Sequence, residues 1–258
     1  MSTPNRKPAN LTLFFLTSVS FLGLILAALF TVNPPISQAD FVWRKPVVGS
    51  IFASVCALGS LAVFFPNACS RGFNFGKGQK RRGWFSFSFK RGFATSKSDS
   101  SVLRGHHPTC DRFSSHVFSL GGRAFCATCS GLFLGALVAL VGVAVYFFGN
   151  WQIGQHAFWV VWVGVLGVTL GLMQSPLLKV QRSSDRVFSG ALLAIGTLLI
   201  LVVVDELARN FFLDVFLVFL TVFWLTTRIS LSQWEHKKIC LACNSASCEL
   251  GHWTKRKG

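Results

Sequence analysis

The sequence predicts an all-α integral membrane protein, with six transmembrane helices and a small cytoplasmic knob rich in Cys and His. Three observations lead there. Hydrophobic residues make up 52% of the 258-residue chain and charged residues only 13%, about half the charged share of an ordinary soluble domain. The apolar residues are gathered into runs of roughly 18 or more, long enough to cross a hydrocarbon core of about 30 Å as helix. The basic residues, which give a formal net charge of +16, collect on alternate connections between those runs.

Six runs qualify: 11–32, 47–65, 131–148, 157–173, 187–204 and 211–227. The first begins beside basic residues and is followed by Ser37-Gln38-Ala39, a small-residue sequence of the kind cleaved after a signal peptide. Its length of about 22 residues exceeds the 7 to 15 of a signal-peptide core, so an uncleaved helix is expected. Lys and Arg near segment ends are retained in the cytoplasm. With the N-terminus inside, 22 of the 25 basic residues fall on inside segments, and the outside connections hold only Arg44, Lys45 and Arg209. Both termini and both Cys/His clusters are then cytoplasmic, in a cell membrane protein.

The chain divides into a two-helix membrane hairpin (1–65), a basic Gly/Ser/Phe-rich segment expected to be flexible (66–104), a Cys/His motif (105–130), a four-helix membrane bundle (131–227) and a Cys/His-rich tail (228–258). Short connections at 149–156 and 205–210 require antiparallel neighbours within the bundle. Gly131-x3-Gly135 and Gly167-x3-Gly171 have the spacing that lets helix backbones approach closely in lipid. No ionisable residue lies near the middle of any run. Asp214 falls in the first turn of the last one, where the helix dipole accommodates a carboxylate, and Cys56 reads as a small packing residue. A channel or ion-coupled transporter therefore finds no support in the sequence.

The cysteines carry the chemistry. His107-x2-Cys110-x15-Cys126-x2-Cys129 has the pair-loop-pair spacing of a tetrahedral zinc site. Gly121-Gly122 is placed to reverse the chain between Phe118 and Phe125, and His106 and His116 are alternative ligands. Cys240-x2-Cys243-x4-Cys248-x3-His252 packs four more candidates into the tail, with His236 as a fifth. Disulfides are disfavoured in a reducing compartment. An iron–sulfur cluster would use thiolates too, but the spacing departs from ferredoxin runs. A redox dithiol is the other alternative, because Cys126-Ala127-Thr128-Cys129 directly precedes a helix, whose N-terminus lowers a thiolate pKa. The starts and ends of the third and last helices also allow the two clusters to meet.

The stretch 110–135 resembles an uncharacterised prokaryotic family of multi-pass membrane proteins, the domain of unknown function 2085. The resemblance rests on Cys110, Phe118, Gly121, Cys126-Ala127-Thr128-Cys129-Ser130-Gly131 and Gly135. Asp111 stands where that family has His and Thr128 where it has Arg, so what the resemblance implies is architecture and metal binding rather than catalysis.

The expected partners are the lipid bilayer, anionic headgroups at the basic segments and a protein docked on the cytoplasmic face. Nucleic acid is disfavoured, because the positive charge has a sufficient cause in membrane orientation. The function expected is that of a membrane protein with one or two structural zinc sites as an interaction module. The alternatives are a membrane thiol or metal oxidoreductase using Cys126 and Cys129, or a basic cytoplasmic face binding anionic lipid or nucleic acid.

Overall fold

The computed structural model describes residues 7–34, 42–64, 116–120, 123–149, 151–173 and 182–242. These form six α-helices and one β-hairpin: α1 (Lys7–Val32), α2 (Arg44–Phe64), β1 (Val117–Leu120), β2 (Arg123–Cys126), α3 (Ala127–Val143), α4 (Ala157–Met173), α5 (Ser183–Ala208) and α6 (Phe211–Ala242). The segment 66–104 and the tail beyond 242 lie outside the described residues.

Among the described residues, five helices, α1 and α3 to α6, are long and apolar enough to cross a membrane. The expected run 47–65 is helical as well, within α2, whose first turn carries Arg44, Lys45 and Pro46. The periphery of the bundle is apolar, with Phe14, Leu22, Trp159, Val163 and Phe219 all more than half exposed. Contiguous apolar surface on that scale belongs against lipid.

α5 is the central element, packed against α3 on one side and α4 on the other, with α1 and α6 completing its surroundings. Both glycine pairs serve this packing. A side chain at Gly131 would collide with the Val187 carbonyl oxygen, and one at Gly135 would come 2.6 Å from that of Ala191. Gly167 faces the Leu192 carbonyl oxygen in the same way, while Gly171 is closed off by the Cβ of Leu193. α5 answers with Gly190 and Gly196, the latter against Gly164. Apolar side chains gain nothing from leaving lipid, so close backbone approach through small residues is the source of cohesion here.

α1 docks on α6 through polar groups as well. The Trp224 indole N–H donates to the Ser20 carbonyl at 3.0 Å, and the Ser20 and Thr227 hydroxyls meet at 3.0 Å. Leu24 and Ala27 of α1 join the main core.

Helix ends depart from expectation in an informative way. α3 widens into a π-turn over Ala144–Phe148, closed by the Gly149 N–H on the Ala144 carbonyl at 2.9 Å. The extra residue turns Tyr146 and Phe147 inward, where both are buried. Between α5 and α6 the chain reverses in two residues: Arg209 takes the left-handed conformation (φ 46°), and the Asn210 side-chain oxygen accepts the N–H groups of Phe212 and Leu213, an N-cap. α6 runs on to Ala242 rather than ending near Thr227, since neither Gly nor Pro interrupts the sequence there and Glu235 is tied back to α5.

Candidate functional site

The strands β1 and β2 pair antiparallel, with Phe118 opposite Phe125 and Val117 opposite Cys126. The chain therefore reverses between Leu120 and Arg123. Cys126 ends β2 and is the N-cap of α3, in extended conformation (φ −71°, ψ 121°). Cys129 follows in the first helical turn, so both sulfurs stand at one helix N-terminus, half-buried.

That placement has an electrostatic consequence. The Cys126 thiol is lowered to about 6, first by a hydrogen bond from the Cys129 side chain, against the opposing effect of burial. The amides of Cys129 and Thr128, which face the sulfur without completing a side-chain cap, and the Arg186 guanidinium add to the lowering. Near neutral pH Cys126 is therefore a thiolate, the form that binds metals and attacks disulfides.

Around the pair lies a polar group joining three elements. Arg186 of α5 grips Glu235 of α6 with both terminal nitrogens, at 2.9 and 3.1 Å, a bidentate fork. His116, just before β1, places Nε2 4.0 Å from Glu235 Oε1. Burial, then the Arg186 charge, pushes its imidazole down to about 4. His116 is thus neutral at pH 7, and its contact with Glu235 is polar rather than ionic. Arg228, 1% exposed, completes the group from α6.

Of the expected ligands, the structure brings Cys126 and Cys129 together and places His116 against Glu235. His106, His107, Cys110, Cys243, Cys248 and His252 lie outside the described residues. Cys240 and His236 belong to α6, with their side chains outside the description. Among the described residues no three of His, Cys, Asp and Glu converge closely enough to hold a metal ion. It is Glu235 of α6 that comes to the hairpin. Soft thiolate donors at one helix turn suit zinc in kind, and they make up half of the expected four-ligand set.

A second polar site occupies the opposite end of the same helices. Arg44 Nη1 lies 2.6 Å from Asp205 Oδ1 and 2.6 Å from Asp214 Oδ2, with all three side chains at most 1% exposed. The Tyr146 hydroxyl donates to Asp205 Oδ2 at 2.8 Å. The Lys45 ammonium lies 4.0 Å from the same oxygen and 4.5 Å above the Tyr146 ring. Glu206 accepts the backbone N–H groups of Ile153 and Gly154, each at 2.9 Å.

The helix dipole alone does not explain Asp214. The first-turn position is favourable, but its partner is Arg44, 170 residues earlier in the chain. Asp205 and Arg44 sit at helix ends whose dipoles oppose their charges, and each is compensated by the other. Sequence reasoning assigned Arg44, Lys45 and Asp205 to connections. The available signal was opposite charges flanking different segments on one side of the membrane.

No family model, curated protein or solved structure matches the chain. The fold and its apolar helices define the class: a multi-pass helical membrane protein.

Proposed function

We propose that the chain is a six-span membrane protein whose cytoplasmic face carries a structural zinc-type site formed by His107, Cys110, Cys126 and Cys129, serving as an interaction module. The observation that supports this reading is the hairpin leading into the helix. A reversal between Phe118 and Phe125 and two cysteines within one helical turn, with the Cys126 thiol lowered by a hydrogen bond from Cys129, supply one of the two ligand pairs of a pair-loop-pair site. α2 is taken as the sixth span because it packs along α3. The orientation follows from the basic residues. Cys240, Cys243, Cys248 and His252 belong to a second site of the same kind in this reading.

Metal analysis of the purified protein tests it. About one zinc per chain or more is expected from closed four-ligand sites, falling by about one in Cys126→Ser. Substoichiometric metal unchanged by that substitution overturns the proposal.

A second reading is favoured by the lowered Cys126 thiol beside Arg186. In it the Cys126 thiolate attacks a partner disulfide, Cys129 resolves the mixed disulfide, and the partner leaves as a dithiol. Such a protein forms a Cys126–Cys129 disulfide under mild oxidants. A zinc-loaded protein with oxidant-inert thiols excludes it.

A further inference from the structure

At the end of the bundle opposite the thiol pair, a cleft of about 530 Å³ opens beside the buried ion cluster. Its volume lies within the range of small-molecule sites. Val42, Phe147 and Phe148 form apolar lining, while Lys45, Glu206 and Arg209 supply charge. The neighbouring Arg44 and Asp205 also border it.

Hydrogen-bonding capacity at this cleft is used unevenly. The acids are engaged internally: Asp205 by Arg44 and Tyr146, and Glu206 by two backbone amides, one on each oxygen. Arg44 is in turn occupied by two carboxylates. What remains is cationic. The Lys45 ammonium has three N–H donors; it lies over the Tyr146 face with an Asp205 oxygen at 4.0 Å, beyond hydrogen-bond length. The Arg209 side chain, on the exposed left-handed residue of the α5–α6 turn, makes no hydrogen bond or ion pair among the described residues. A ligand completing this site is therefore an acceptor of hydrogen bonds with negative charge. The adjoining wall adds a second requirement, because Val42 is 97% and Phe148 57% exposed and both gain from apolar cover.

We propose that this cleft binds an amphiphilic anion, its phosphate or carboxylate held by Lys45 and Arg209 and its apolar part laid on Val42, Phe147 and Phe148. A bilayer lipid and a soluble amphiphile share that chemistry.

Native mass spectrometry of the full chain in a nonionic detergent distinguishes them, with phosphatidylglycerol, phosphatidylcholine, dodecyl phosphate and inorganic phosphate as probes. Saturable binding of phosphatidylglycerol, dodecyl phosphate or both is expected, weakened about tenfold when Lys45→Gln and Arg209→Asn are combined and unchanged by Lys238→Gln. Phosphatidylglycerol alone identifies a membrane lipid, and dodecyl phosphate alone a soluble ligand. Arg209→Asn by itself keeps the test open should the Lys45 change disturb folding, because Asn tolerates the left-handed backbone and Arg209 meets Asp205 through its backbone N–H, which Asn keeps. Equal affinity for phosphatidylcholine, binding of inorganic phosphate as tight as that of dodecyl phosphate, or indifference to both substitutions overturns the proposal.

Discussion

Arg44 and Asp205, 161 residues apart in sequence, meet at 2.6 Å with both side chains out of contact with solvent. The pair joins the start of α2 to the end of α5, and through Asp214 it holds the start of α6 as well. Two carboxylates on one guanidinium nitrogen, with Lys45 nearby, leave the cluster formally neutral. That neutrality is what makes its burial at a membrane edge tolerable.

Removing Arg44 should be costly. Arg44→Ala leaves two buried carboxylates facing Lys45, 4.0 Å from Asp205, in place of a directly bonded guanidinium, a loss on the order of 3–5 kcal/mol. Thermal unfolding in detergent should show a large fall in midpoint, most of it restored when Asp205→Asn and Asp214→Asn are added. A midpoint that stays unchanged would show that the pair contributes nothing to stability.

The Cys126 thiol should titrate near pH 6. Alkylation followed against pH is expected to reach half its maximal rate there, while buried Cys56 stays inert. Cys129→Ala should move the midpoint upward more than Arg186→Gln, because the Cys129 hydrogen bond is the largest lowering influence and the Arg186 charge the smallest. A thiol held below its unfolded value of 9.0 contributes stability that is complete above about pH 9 and lost as the pH falls through about 6. Thermal midpoints measured across that window, with Cys126→Ala as reference, check the sign.

Glycine substitutions should separate contact from propensity. Gly131→Ala drives a methyl group into the Val187 carbonyl and should destabilise by about 1–3 kcal/mol, as overpacking does. Gly59→Ala meets nothing within 4 Å and should stabilise by about 0.5–1 kcal/mol, the helix-propensity gain. Equal effects at the two positions would contradict the packing of α3 on α5.

Trp224→Phe should loosen α1 selectively. The Ser20 carbonyl loses its indole donor, at a cost of about 1 kcal/mol, and the space left by the smaller ring adds to it. Protease cleavage near the α1–α2 connection is expected to quicken while the α3–α5 contact persists. Uniform destabilisation of all helices would argue against a separable α1.

The membrane class was legible because it depends on composition and run length, which are additive along the chain. Helix positions 157–173 were read at both ends, and the reversal between Phe118 and Phe125 was read from two glycines. Both glycine pairs proved to be contacts because backbone approach in lipid has a local signature. The extension of α6 to Ala242 was missed, since helix continuation past the apolar run rests on Glu235 reaching Arg186, a pairing set by α5. Spacing singled out Cys126 and Cys129, which the structure brings together at one helix start, and it offered His116 as an alternative ligand; that this histidine lies beside Glu235 was not legible, because α6 brings Glu235 there only on packing.

By itself the sequence determined that this chain is a bundle of apolar helices with a cysteine pair at a helix start, because hydrophobic run length and residue spacing act over one or two turns. Only the tertiary structure decided that Arg44, Asp205 and Asp214 form one buried cluster, and that Arg186, His116 and Glu235 surround the thiol end. Charges in separate connections have no preferred partner in the sequence. Their pairing is selected when burial makes an unpaired charge too costly, and that cost exists only after the helices have packed.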